Sequence, residues 1–141
     1  MILFITSCND TNNKIDNKLN SKDFKKINVK PEFENNCNKN MRINHVNISF
    51  SNSWENYIIA KVNNEIIFSD TVVTNKSLGI SEKNFTINRG KNDSTIVTFF
   101  IMNDKKSFSI SIDYKYKNVK LYKNFDSNVI IRMTNCISLI Y

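Results

Sequence analysis

From Met41 onward the chain is built of short runs rich in Ile, Val, Phe and Tyr, parted by clusters of Asn, Asp, Lys and Ser. The clusters recur roughly every 8 to 12 residues, the rhythm of strands and turns in a sandwich or barrel. The cleanest alternation places Phe108, Ile110, Ile112, Tyr114 and Tyr116 on one face and Ser107, Ser109, Ser111, Asp113 and Lys115 on the other, which predicts a strand with one buried and one wet side. Thr95 to Met102 is apolar on both faces, as a central strand is. Val46, Ile48 and Phe50 share one parity while Met41 and Ile43 share the other, so a bulge or a junction of two strands is expected at His45.

Tyr57 to Val62 and Glu65 to Ser69 flank Asn63-Asn64, a pair suited to the positive backbone angles of a type I′ hairpin. Phe85 and Ile87 mark a short strand, Arg89 to Asp93 a turn, and Asn75 to Ser81 the best place for a turn of helix. Val119 to Phe125 and Val129 to Met133 continue the meander through turns at Lys117-Asn118 and Asn124 to Asn128, and Ile137 to Tyr141 offers a last edge. Together these predict an all-β domain over residues 41–141. It is a single antiparallel β-sandwich, immunoglobulin-like or jelly-roll-like, with about seven to nine short strands.

Residues 9–40 have neither period and are dominated by Asn, Lys, Asp and Ser. Such a composition does not bury enough apolar surface to offset ordering. A flexible, disordered tether is the expectation there, with Val29 to Phe33 beginning to lie against the domain. Only two Gly and one Pro occur in the whole chain, so the turns fall to Asn, which tolerates left-handed angles and bonds its own backbone. No window of 18 apolar residues exists, and no helical membrane span is predicted.

Ahead of this tract stand Ile5, Thr6, Ser7 and Cys8. This tetrapeptide resembles a bacterial lipobox, in which a branched apolar residue, a small or β-branched residue and a Gly/Ala/Ser-sized residue precede the cysteine that is lipidated. The resemblance covers residues 1–8 and implies a residual signal segment, a lipid on Cys8, export and a membrane anchor in the bacterial cell envelope. No Lys or Arg precedes Cys8, whereas a complete signal begins with a basic stretch, so a natural start further upstream is expected. With Cys8 carrying lipid, Cys37 and Cys136 remain as a candidate disulfide. It would close a loop of about 100 residues, worth at most about 4 to 5 kcal/mol in the chain-entropy model.

The net charge of +7 is unevenly spread. Residues 105–123 carry six Lys against Asp113 alone, and the rest of 41–141 is neutral. A two-residue turn at Lys117-Asn118 would pair Lys115 with Lys120 on the wet face of a hairpin, with Tyr122 beside them and Lys117 at its tip. Such a face suits phosphate headgroups, an acidic glycan or an acidic protein, and equally serves as a solvated face that deters edge pairing. Trp54, in the polar stretch Ser51 to Asn56, offers an indole for a sugar or a half-buried loop anchor.

Enzyme signatures are sparse. The single histidine, His45, lies in a strand-like run away from any Cys or carboxylate, and a lone strand histidine is more often structural than catalytic. Acids are scattered, so a glycosidase pair would need to be assembled in space. Two glycines leave no phosphate-cradling loop, and no metal or cofactor motif occurs. Nucleic acid is disfavoured because no nucleic-acid-binding motif is visible. Five Asn-x-Ser/Thr sites, at Asn9, Asn47, Asn75, Asn84 and Asn92, match chance in so Asn-rich a chain.

The expectation is therefore a lipid-anchored envelope β-sandwich that binds a partner, with Lys115, Lys117, Lys120, Tyr122 and Trp54 as its candidate ligand surface. A small envelope hydrolase with a carboxylate pair and an inhibitor or immunity-type protein are the alternatives.

Overall fold

A computed structural model describes residues 19–29, 31–34, 43–124 and 128–135. Cys8, Cys37, Cys136 and the last edge expected at Ile137 to Tyr141 lie outside them. The described residues form ten strands, β1 (Lys25–Lys26), β2 (Pro31–Glu34), β3 (His45–Asn52), β4 (Glu55–Val62), β5 (Glu65–Val73), β6 (Ile80–Asn88), β7 (Ser94–Ile101), β8 (Lys106–Asp113), β9 (Asn118–Lys123) and β10 (Val129–Thr134). They make two five-stranded sheets, β1-β8-β7-β4-β5 and β2-β10-β9-β3-β6.

The sandwich is as expected, with ten strands in place of seven to nine, but its sheets are mixed. β4–β5, β4–β7, β7–β8, β3–β6 and β9–β10 pair antiparallel, whereas β1–β8, β3–β9 and β2–β10 run parallel. In the first sheet the order β5-β4-β7-β8, set against the β3–β6 pair, is that of strands C′, C, F and G over B and E in an immunoglobulin-type sandwich. The departure is β9 and β10, through which the chain returns to the second sheet and lies beside β3.

The alternating apolar residues point between the sheets. Val46, Ile48, Phe50, Ile58, Ala60, Val97, Phe99, Ile101, Ile110, Ile112, Val119, Leu121, Ile131 and Met133 are all buried. Phe99 and Phe108 stack with centroids 5.0 Å apart, and Phe68 on β5 stacks on Phe85 of β6 at 4.7 Å, closing one open side. Asn63 and Asn64 take φ of 50° and 65° at the β4–β5 turn, as the expected hairpin requires. The bulge falls between Ser49 and Ser51, four residues beyond His45. At Asn75 to Gly79 a single turn closes by a 2.7 Å bond from the Gly79 N–H to the Asn75 carbonyl, and Ile80 already begins β6.

Within the expected tether, residues 19–29 and 31–34 are part of the sandwich. Asn20 caps a 3-10 turn over Ser21–Asp23, and Phe24 packs edge-on against Phe100, 5.1 Å away, among Leu19, Tyr57, Ile59, Ile66 and Met102 on the outer face of the first sheet. β1 then extends that sheet and β2 the other, while Ile27 and Val29 pack against the core between them. The polar composition around Leu19, Phe24, Ile27, Val29 and Phe33 hid this strap, because apolar residues spaced along an edge need no regular period.

Candidate functional site

The basic hairpin expected from Lys115 to Lys123 does not exist. β8 and β9 stand in different sheets, so Lys115 does not face Lys120. The Asp113 carboxylate accepts from the Lys115 N–H and the Asp113 carbonyl from the Tyr116 N–H, turning the chain out of the first sheet. The Lys117 carbonyl then accepts from the Asn47 N–H and delivers it to the second. Lys115 and Lys117 are exposed in this crossing, whereas Lys120 and Tyr122 are half-buried on the outer face of the second sheet. There the Arg132 guanidinium lies 5.2 Å from the Tyr122 ring centroid and bridges to Glu32 and Glu34.

Trp54 is no sugar platform, being 2 % exposed. Its indole N–H donates to the Leu121 carbonyl at 2.9 Å, and its ring meets Phe50 edge-on at 5.4 Å. His45 is exposed at the start of β3. Among the described residues no three His, Cys, Asp or Glu side chains gather as metal ligands.

What the fold builds instead is a cleft at the end of the sandwich holding the β3–β4, β5–β6 and β9–β10 loops. Its volume is about 700 Å³, and Asn52, Ser53, Trp54, Glu55, Val73, Thr74, Asn75, Lys76, Gly79, Lys123 and Asn124 line it. Reciprocal bonds fix its walls. The Trp54 N–H donates to Thr74 Oγ1 at 3.1 Å and the Thr74 N–H to the Trp54 carbonyl at 3.0 Å. Asn52, with φ of 74°, donates its N–H to the carbonyl of Gly79, whose φ is 67°. Asn75 holds its own turn by accepting from the N–H groups of Ser77 and Leu78.

Lys123 is the distinctive wall residue. It shares the inward parity of Val119 and Leu121 on β9, so its side chain, 9 % exposed, runs into the end of the core. A buried ammonium needs partners, and it has three: Asn56 Oδ1 at 2.7 Å, Asp104 Oδ2 at 3.0 Å and the Trp54 ring at 5.7 Å from its centroid. These tie β9 of the second sheet to β4 and the β7–β8 turn of the first. The odd-numbered spacing Val119, Leu121, Lys123 was visible in the sequence as a signal for this inward lysine; its partners, 67 and 19 residues away, were not.

The cleft presents amides, hydroxyls and loop backbone, with Glu55 and Lys76 as exposed charges of opposite sign and exposed Val73 as an apolar wall. Glu55 is its only lining carboxylate among the described residues. The amides, hydroxyls and backbone groups suit hydrogen-bonded contact with a hydroxyl- and amide-bearing ligand. A second cleft of about 710 Å³ lies at the opposite end, around Val62, Ile67, Asn88 and Ile96; it has no buried ionisable side chain. Compared with protein-family models and with curated proteins, the chain finds no match.

Proposed function

We propose that this chain is a binding module of the bacterial cell envelope, anchored by lipid on Cys8, whose loop-end cleft receives a neutral saccharide bearing hydroxyl and acetamido groups. The observation that carries the binding reading is the cleft itself, rigidly walled by the Trp54–Thr74 and Asn52–Gly79 bonds and lined by side chains that donate and accept, with Glu55 and Lys76 of opposite sign and Lys123 paired to Asp104. Pockets of this kind, concave and with a few fixed polar groups, are the usual seat of small-ligand recognition. The anchor rests on Ile5-Thr6-Ser7-Cys8.

The folded strap shortens the spacer this reading needs. Cys8 and Leu19 are eleven residues apart, a span of roughly 20 Å as a flexible coil and about 40 Å at full stretch. The domain would therefore work close to the surface that holds it.

The test is a titration of the isotopically labelled full chain with N-acetylated wall oligosaccharides, followed by amide NMR shifts. Saturable shifts at Ser53, Trp54, Thr74 and Asn75 are expected, with no release of shorter sugars. Absence of shifts at this cleft would reject the ligand class, and sugar cleavage would move the protein to the hydrolase reading.

A further inference from the structure

The strap collects lysines that are dispersed in sequence. Lys25 is the register partner of Lys106 in the parallel β1–β8 pair. Its N–H donates to the carbonyl of Lys105 at 2.8 Å, and Lys105 sits in the β7–β8 turn with φ of 49°. Lys22 and Lys26 flank Lys25 along the same edge. Four of these five lysines are exposed and Lys106 is half-buried. Of the carboxylates beside them, Asp104 is already engaged by Lys123, which leaves Asp23. Among the described residues none of the five takes part in an ion pair.

We propose that this corner is a docking surface for the anionic phosphate headgroups of the membrane to which the chain is anchored. Two observations converge on it. The first is charge: holding five cations on one edge is unfavourable in isolation, and an anionic surface converts that repulsion into attraction. The second is position, because Leu19, the first described residue, packs against the same Phe24–Ile59–Phe100 cluster as Met102 at the start of the β7–β8 turn. The eleven residues back to Cys8 keep that turn within tether reach of the lipid.

Lys115 and Lys117 lie at the other end of β8, whose eight residues span about 27 Å. Screening over roughly 10 Å at 0.1 M salt removes them from the same surface. A lipid on Cys8 would fix one point of the chain at the bilayer, and a basic patch sets which side of the domain turns toward it, which is the role assigned to the corner. The inference rests on the anchor reading, yet its charge component is measurable without lipid.

The experiment uses the full chain with Cys8→Ser, sedimented with vesicles of phosphatidylcholine alone or mixed with phosphatidylglycerol at about 0.1 M salt. A lysine at an anionic surface is worth roughly fivefold in partitioning. Replacing Lys25, Lys26, Lys105 and Lys106 with Ser should therefore lower binding to the mixed vesicles by about tenfold or more. The control K91S/K115S/K117S at the opposite end should change it less than about twofold. Emission of the buried Trp54 reports that each variant is folded.

Equal loss in both variants, no loss in either, or wild-type binding to an acidic wall polymer but not to vesicles overturns the proposal. The anchor is read independently, from the mass of the N-terminal peptide after export. A missing lipid with intact vesicle binding rejects the anchor and keeps the docking surface.

Discussion

The indole N–H of Trp54 reaches across the sandwich to the backbone carbonyl of Leu121, 67 residues later, at 2.9 Å. Trp54 sits between β3 and β4, and Leu121 is central in β9, so one side chain ties the entrance of the first sheet to the added strand of the second. Trp54→Phe keeps most of the packing but removes the donor to the Leu121 carbonyl, and should cost about 0.5 to 1.5 kcal/mol. Trp54→Ala also opens a cavity and should cost about 3 to 5 kcal/mol. Denaturant titrations followed by circular dichroism measure both; an unchanged stability in Trp54→Phe would mean that the bond contributes nothing.

The Lys123–Asp104 pair invites a double-mutant cycle. Asp104→Asn leaves the ammonium with Asn56 and the Trp54 face as its remaining partners. Lys123→Met fits the same apolar path and frees Asp104, which at 28 % exposed can rehydrate. Removing one partner of a fully buried pair costs about 3 to 5 kcal/mol. Partial exposure of Asp104 reduces the expected coupling to about 1 to 2 kcal/mol. Additive losses in the double variant would show that the two charges are not coupled.

Asp70 on β5 and Lys83 on β6 join the two sheets at their open edge through a 2.9 Å bridge. The Lys83 hydrogen bond, aided by the Thr71 N–H, holds the Asp70 carboxyl below its ordinary value of 3.8, and the same bond raises Lys83. A carboxyl lowered in the folded state favours folding above the unfolded value, and that contribution disappears as pH falls from about 3.8 through the lower folded value. Asp70→Asn should therefore lower stability slightly at neutral pH and leave it unchanged well below pH 3.8, so that its acid limb is flatter, the effect being small because both groups are solvated. Identical acid limbs in wild type and variant would contradict this.

Glu34 and Thr134 are register partners where the parallel strands β2 and β10 end together. Adjacent strands lie about 4.8 Å apart. Cys37 follows Glu34 by three residues and Cys136 follows Thr134 by two, so the two chains start toward their cysteines from neighbouring points. If the chain is exported and Cys8 carries lipid, the expected result is one disulfide-linked peptide containing both cysteines and no free thiol. Reduction should lower stability by up to about 4 to 5 kcal/mol. Two titratable thiols would exclude the bridge.

The sequence by itself determined which residues face inward. Period-2 alternation named Val46, Ile48, Phe50, Phe108, Ile110, Ile112, Val119 and Leu121 as buried, and Asn63-Asn64 named its own turn, because facing and turn chemistry are local properties of the backbone. It did not determine which strands pair. From Tyr114 to Leu121 the alternation fits a hairpin within one sheet and a crossing between two equally well, since either keeps Tyr114 and Leu121 inside. Only long-range partners decided, with β9 bonding to β3 and β10. That choice dissolved the expected Lys115–Lys120 face, drew Lys123 into the core beside Trp54, Asn56 and Asp104, and let the strap assemble Lys25, Lys26, Lys105 and Lys106. Hydrophobic pattern is written along the chain, whereas a charged surface or a cleft is a juxtaposition of distant segments, and tertiary pairing alone creates it.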